Sequence, residues 1–192
     1  MNMARKFITY FDKQGEDYTD ELILAVKDKL DICENIKHIV IASASGKSAL
    51  KLYEAVGDKV KIINVTHHYG FSGPNESDIS EEMIEKLENE GIVTYFGLHA
   101  FSGATRGVTN KYGGFGPLDV VADTLRMFSH GVKVAGEISI MACDAGLIPA
   151  GEEIIAIGGR GHGVDTAVIL TPVNGKDLFN MKFHEIIAMP RD

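Results

Sequence analysis

Short apolar runs rich in β-branched residues alternate along this chain with segments of helical period, and that alternation restricts the fold more than any other feature. The runs are Ile36 to Ile41, Val60 to Val65, Ile92 to Leu98, Ile154 to Ile157 and Ala167 to Leu170. They are too continuously apolar for strands with one wet face, and suit a sheet covered on both faces. Between them the apolar residues recur at helical spacing. Leu22, Val26 and Leu30 mark a first helix; Ala49, Leu52, Tyr53 and Val56 mark a second, which Gly57 can end in the left-handed conformation. Asp78 with Glu81 reads as a capping box opening a third helix, with the stripe Ile79, Met83, Ile84 and Leu87 and a stop at Gly91. A fourth follows Pro117 with Leu118, Val121, Leu125 and Phe128, and beyond Gly131 a fifth carries Val134, Ile138, Met141 and Ala145 before Gly146 and Pro149. Strands interleaved with helices at this spacing predict a mostly parallel sheet with helices on both faces, and Phe183 to Ala188 fits a closing edge strand.

With 192 residues, 45% of them hydrophobic and 24% charged, the chain fits a single domain over positions 1–192. A formal net charge of −8 opposes binding to nucleic acid or an anionic membrane. No apolar run approaches the roughly 20 residues needed to span a bilayer. The apolar stretch after Arg5 and Lys6 is broken by Asp12, Lys13, Glu16 and Asp17, so no signal peptide is expected and the chain reads as cytoplasmic. Cys33 and Cys143 lie far apart in segments of helical pattern, which points to burial rather than a disulfide or a metal site.

The turn Ser43-Ala44-Ser45-Gly46-Lys47-Ser48 joins the first buried strand to the second helix. In an open α/β sheet, ligands bind beyond the carboxyl ends of the strands, where helix N-termini present N–H groups and a favourable dipole to anions. Ser43, Ser45 and Ser48 add hydroxyls, Gly46 permits close backbone approach and Lys47 adds charge, which together suit a phosphate. The plainer alternative is that Ser45 caps the helix and Lys47 is solvated. A nucleoside-triphosphate P-loop would need glycine where Ile41 stands.

Ile39-Val40-Ile41 followed by Ser43 to Ala49, and then Ile62-Ile63-Asn64-Val65-Thr66, resembles the C-terminal domain of pyruvate kinases, where the equivalent turn holds a phosphate of the sugar bisphosphate effector. Gly91-Ile92-Val93 and Leu147 through Gly158 continue the likeness. The whole chain more closely resembles the stand-alone pyruvate kinase C-terminal-like proteins of archaea and some bacteria, whose activity is unassigned and which have been associated with flavin mononucleotide (FMN). That resemblance implies a three-layer αβα sandwich with sheet order 3-2-1-4-5, strand 5 antiparallel. The catalytic (β/α)8 barrel, roughly 250 residues, does not fit beside this domain in the chain, so pyruvate kinase activity is not expected. The chain has no tryptophan, and Ala44 stands where a basic residue is usual, so a sugar bisphosphate would lose contacts at both ends.

Gly158-Gly159-Arg160-Gly161-His162-Gly163 matches no dinucleotide fingerprint. The family strand order places it beside the first turn, where its glycines would admit a ligand and Arg160 would offer a forked donor; the alternative is a flexible loop with a solvated arginine. Asp165 and Thr166 close this loop and could meet a polar ring edge or a ribityl chain. His67 and His68 follow the second strand and His99 the third; with His162 they could reach one rim as hydrogen-bond or acid/base groups, but they form no metal motif. No nucleophile elbow is present, and the catalytic residues stay unassigned. The stretch from Ala100 to Gly116 reads as a long loop whose aromatics, Phe101 among them, either stack on a flat heterocycle or anchor the loop.

These readings converge on a phosphorylated small molecule. FMN is the leading ligand, with its phosphate on the turn and its ring under the long loop, in a protein that is either an oxidoreductase or a non-catalytic sensor of a phosphorylated metabolite. Apolar edges permit pairing into a homo-oligomer.

Overall fold

The computed structural model describes residues 7–192, so Arg5 and Lys6 lie outside it. The elements run β1 (Thr9–Phe11), α1 (Thr19–Leu30), β2 (His38–Ala42), α2 (Lys47–Val56), β3 (Lys61–Thr66), α3 (Glu81–Asn89), β4 (Val93–Phe96), α4 (Thr105–Tyr112), α5 (Pro117–Arg126), α6 (His130–Asp144), β5 (Ile154–Gly158), β6 (Thr166–Thr171) and β7 (Lys182–Pro190). One seven-stranded sheet has the order β1-β7-β6-β5-β2-β3-β4. Only β6 runs against its neighbours; the β2–β3, β3–β4, β2–β5 and β1–β7 pairs are parallel. The five strands expected from the apolar runs therefore stand in the order 3-2-1-4-5 with the fifth antiparallel.

Alternation along the strands sorts the two faces. Ile39 and Ile41 of β2, in register with Ile155 and Ile157 of β5, pack under α1 and α2 with Leu22, Val26, Ala49 and Leu52. Val40 and Ala156 point the other way, into a core shared with Val132, Ala135, Ile138 and Ala142 of α6. Both sides of each central strand are dry, so the strands need no polar alternation. Helix α6 is buried nearly all round, because α5 packs on its outer side.

Four local expectations need correction. The segment 183–188 is not the edge: β7 is flanked by β1, pairing Thr9 with Ala188 and Phe11 with Pro190. Helix α3 is capped by Ser80, whose Oγ accepts the Met83 N–H at 3.2 Å, while Asp78 turns away to His67. The stretch 100–116 is no structureless loop, since α4 occupies its middle, Thr105–Tyr112; its weak apolar stripe concealed that helix. Gly57 has a positive φ but an extended ψ of −147°, and the chain continues through a single 3-10 turn. Cys143 is buried in α6, whereas Cys33 lies beyond the end of α1.

Candidate functional site

Because β2, β3, β4 and β5 are mutually parallel, their carboxyl ends share one rim, and a cleft of about 920 Å³ opens there. One wall is the turn after β2. Ser43 Oγ accepts the Ser48 N–H at 3.2 Å, and Thr66 Oγ1 donates to the Ala44 carbonyl at 2.7 Å, which ties the turn to the end of β3. Ser43 thus does the capping that the sequence suggested for Ser45. Among the described residues no intramolecular partner accepts the N–H groups of Ala44 and Ser45 in the turn or of Lys47 at the start of α2, so turn and helix start together present donors to an anion.

Gly46 serves a different purpose from the one expected. It is buried at φ +79°, and a Cβ there would come within 2.7 Å of Met83 Cγ and 2.9 Å of Ile79 Cδ1. The missing side chain lets α3 seat against the turn rather than a ligand approach it.

The Gly159–Thr166 loop forms the neighbouring wall through Gly159, Gly161, His162 and Gly163. It is held rather than flexible. Thr19 Oγ1 accepts the Val164 N–H at 3.1 Å, while Asp17 Oδ1 takes both the N–H (3.0 Å) and the hydroxyl (2.6 Å) of Thr19. Those Thr19 bonds keep the Asp17 carboxyl below its ordinary range. Asp165 and Thr166, expected to meet a ligand, are instead buried staples: Thr166 Oγ1 donates to Asp165 Oδ1 at 2.8 Å and lies 3.1 Å from Ser129 Oγ, the cap of α6. Burial raises the Asp165 carboxyl above its usual value. Arg160 does not line the cleft, although its charge is felt at His130.

At the third side, His67 Nδ1 meets Asp78 Oδ2 at 2.5 Å and its ring stacks on Phe71 with centroids 3.8 Å apart. Hydrogen bonds from Ser72 and from His67 hold the Asp78 carboxyl low. His99 sits 5.7 Å from His67, ring to ring, and burial lowers its pKa. His68 contacts His99 but does not line the cleft. Phe101 is only 1% exposed and packs against Ala122 and Ile140, so it anchors its segment and offers no face to a ligand.

The fourth wall was not foreseen. Helix α6 contributes His130, Lys133 and Glu137, α5 Arg126 and α4 Arg106. Lys133 (6% exposed) and Glu137 (2%) form a buried i,i+4 ion pair, and Glu137 Oε1 also accepts the Phe101 N–H at 2.9 Å. A lysine and a glutamate four apart in an otherwise apolar helix were the one visible signal of it. Nothing in the pattern around Arg106, Arg126 or His130 placed them at the rim. Among the described residues no group of three or more His, Cys, Asp and Glu side chains is arranged to hold a metal ion. Nor is any helix long and apolar enough to cross a membrane.

The family model for the pyruvate kinase alpha/beta domain matches residues 22–170, most of the chain and all four walls except Asp17 and Thr19. The chain belongs to this family. Among solved structures, Cryptosporidium parvum pyruvate kinase in complex with ADP is similar over 90% of this chain and 24% of its own, at 15% identity and a TM-score of 0.38. The SAH-bound methyltransferase PaMTH1 of Podospora anserina is similar over 71% of this chain and 50% of its own, at 18% identity and a TM-score of 0.30. This pyruvate kinase alpha/beta domain therefore spans about a quarter of the length of the kinase it matches.

Proposed function

We propose that this domain binds a phosphorylated small molecule in the rim cleft, with the phosphate on the turn from Ser43 to Ser48 and FMN as the ligand. The observation that carries this reading is the charge of the cleft. In a chain of net charge −8, the lining carries Lys47, Lys51, Arg106, Arg126 and Lys133. Three acids, Asp17, Asp78 and Glu137, line it too, and Lys51, Arg126 and Lys133 are paired with Asp20, Asp123 and Glu137, so five lysines and arginines against three carboxylates leave the lining positive by a small margin. A low-dielectric pocket of that sign concentrates anions.

The residues present fit FMN in three respects. The volume lies within the range of small-ligand sites. The turn offers the hydroxyls and free N–H groups a phosphate needs. Phe71, 39% exposed and stacked on His67, offers a flat face for a ring, in place of the aromatics of the 100–116 segment. A bound flavin would supply redox chemistry, while the chain holds the phosphate, orients the ring and positions the His67 imidazole through Asp78. The oxidoreductase reading rests on that cofactor.

A second reading, a sensor that binds a phosphorylated metabolite without turning it over, is favoured by membership of the pyruvate kinase alpha/beta domain family. Mass spectrometry of the small molecule that co-purifies with the chain, with a visible absorption spectrum, separates the two. A flavoprotein is yellow and releases FMN on denaturation. A sensor is colourless and melts higher with phosphosugars; about 2.7 kcal/mol of stabilisation is expected at a hundredfold excess over Kd. Absence of stabilisation by FMN, phosphosugars and inorganic phosphate alike would refute both.

A further inference from the structure

The turn and helix α6 flank the rim from opposite faces of the sheet, because α2 packs on one face and α6 on the other. The cations of the cleft divide accordingly. Lys47 and Lys51 belong to α2, whereas Arg106, Arg126 and Lys133 come from α4, α5 and α6. We propose that the α4–α6 wall is a second anion subsite, which takes a carboxylate or phosphate group separate from the phosphate held by the turn. This deepens the reading of the cleft as a phosphate-ligand site and rests on it: FMN spends its one phosphate on the turn, so the second anion belongs to a molecule bound beside it.

Three observations support the subsite. Lys133 is more than nine-tenths buried yet lines the cavity, and its ammonium has three donors, of which the Glu137 bridge uses one. Both Glu137 oxygens are occupied, Oε1 by the Phe101 N–H and Oε2 by Lys133, so the pair is electrically neutral and Lys133 brings spare N–H donors rather than excess charge. Finally, His130 beside them is surrounded by positive charge. Burial first, and then Arg126, Lys133 and Arg160, push its pKa down to about 4, against the weaker opposing pull of Glu137. Lys133 with two spare donors, Arg106, and Arg126, whose Nη1 meets Asp123 Oδ1 at 2.5 Å while its other N–H groups stay available, place donors for an incoming anion on one wall.

The test is a titration of the full chain with inorganic phosphate, read by calorimetry and by the imidazole NMR signals of His130. Wild type is compared with Ser45→Glu, which puts a carboxylate in the exposed part of the turn, and with the double variant Arg106→Gln/Arg126→Gln, which leaves the buried Lys133–Glu137 pair intact. Two binding events are expected in wild type. Ser45→Glu removes one, and the arginine variant weakens the other roughly tenfold. The event that depends on the arginines raises the His130 pKa, because the bound anion offsets the cations around it.

A single event that Ser45→Glu abolishes and the arginine variant leaves unchanged would overturn the second subsite while leaving the turn as the phosphate site. A single event sensitive only to the arginines would instead remove the turn and keep the α4–α6 wall. Loss of both events in wild type sinks the two readings together. Repeating the titration with FMN already bound identifies the source of the second anion. Persistence means that a separate anionic molecule sits beside FMN on the α4–α6 wall; competition means that the flavin itself covers that wall, which overturns a second subsite in the FMN-bound protein.

Discussion

Replacing Gly46 by alanine tests whether this glycine serves the fold or the ligand. The residue sits at φ +79°, ψ −13°, where an L side chain costs about 1–2 kcal/mol. Its new Cβ would lie 2.7 Å from Met83 Cγ and 3.0 Å from Leu87 Cδ1, both on α3, and 2.9 Å from Ile79 Cδ1 in the segment that leads into it. Overpacking of that kind adds about 1–3 kcal/mol. Gly46→Ala should therefore lose about 2–5 kcal/mol, a large part of the stability of an ordinary domain. In thermal unfolding that is a fall of roughly 4–20 °C for a chain of this size. Urea unfolding should show a lower midpoint at unchanged slope. Adding Met83→Ala makes room for the methyl, so the double variant should be less destabilised than the sum of the singles by about 1 kcal/mol, with the backbone contribution remaining. A Gly46→Ala protein with an unchanged unfolding midpoint but lost phosphate affinity would refute this reasoning and return the glycine to the ligand.

Two further outcomes are expected. Below about pH 6.5 the unfolded chain protonates His130, whereas the folded chain refuses the proton until about pH 4, so stability should fall on acidification across that window. His130→Gln should flatten the difference between urea unfolding at pH 7 and pH 5 by about 1–2 kcal/mol after allowance for solvent screening; an unchanged difference would show that His130 is not the group responsible. Lys133→Met strands Glu137 as an unpaired buried carboxylate and should cost about 3–5 kcal/mol. Lys133→Met/Glu137→Gln, which keeps an acceptor for the Phe101 N–H, should recover most of that loss by chemical denaturation.

The layers, the strand order of the five central strands and the position of the first turn were legible in the sequence because they rest on local periods. A strand dry on both faces reads as a continuous apolar run wherever it lies, and a helix packed on a sheet shows its stripe within a few turns. Where the local signal was weak, the reading failed. The three residues of β1 are too short to register, and α4 has hardly any apolar stripe because none of its residues is buried. The glycines at 46 and 163 showed only that bulk was excluded. The structure shows what excludes it: α3 at the first, and Asp17 with Thr19 at the second.

The cleft itself was half legible. Ser43, Ala44, Ser45, Lys47, Ser48, Thr66, His67, His99 and the glycine loop follow strand ends, and strand ends of a parallel sheet must share a rim. Lys51 stands one turn beyond Lys47 in α2, but Asp17, Phe71, Asp78, Arg106, Arg126, His130, Lys133 and Glu137 reach that rim only because the segments leading into α1 and α3, and α4–α6 themselves, fold back over it. Their convergence depends on chain reversals between residues far apart in sequence, which no local period encodes. By itself the sequence determined a doubly covered, mostly parallel sheet and the turn that follows its first central strand. Tertiary packing alone decided that Gly46 faces a helix, that Phe101, Asp165 and Thr166 are buried, and that a second cationic wall stands across from the turn.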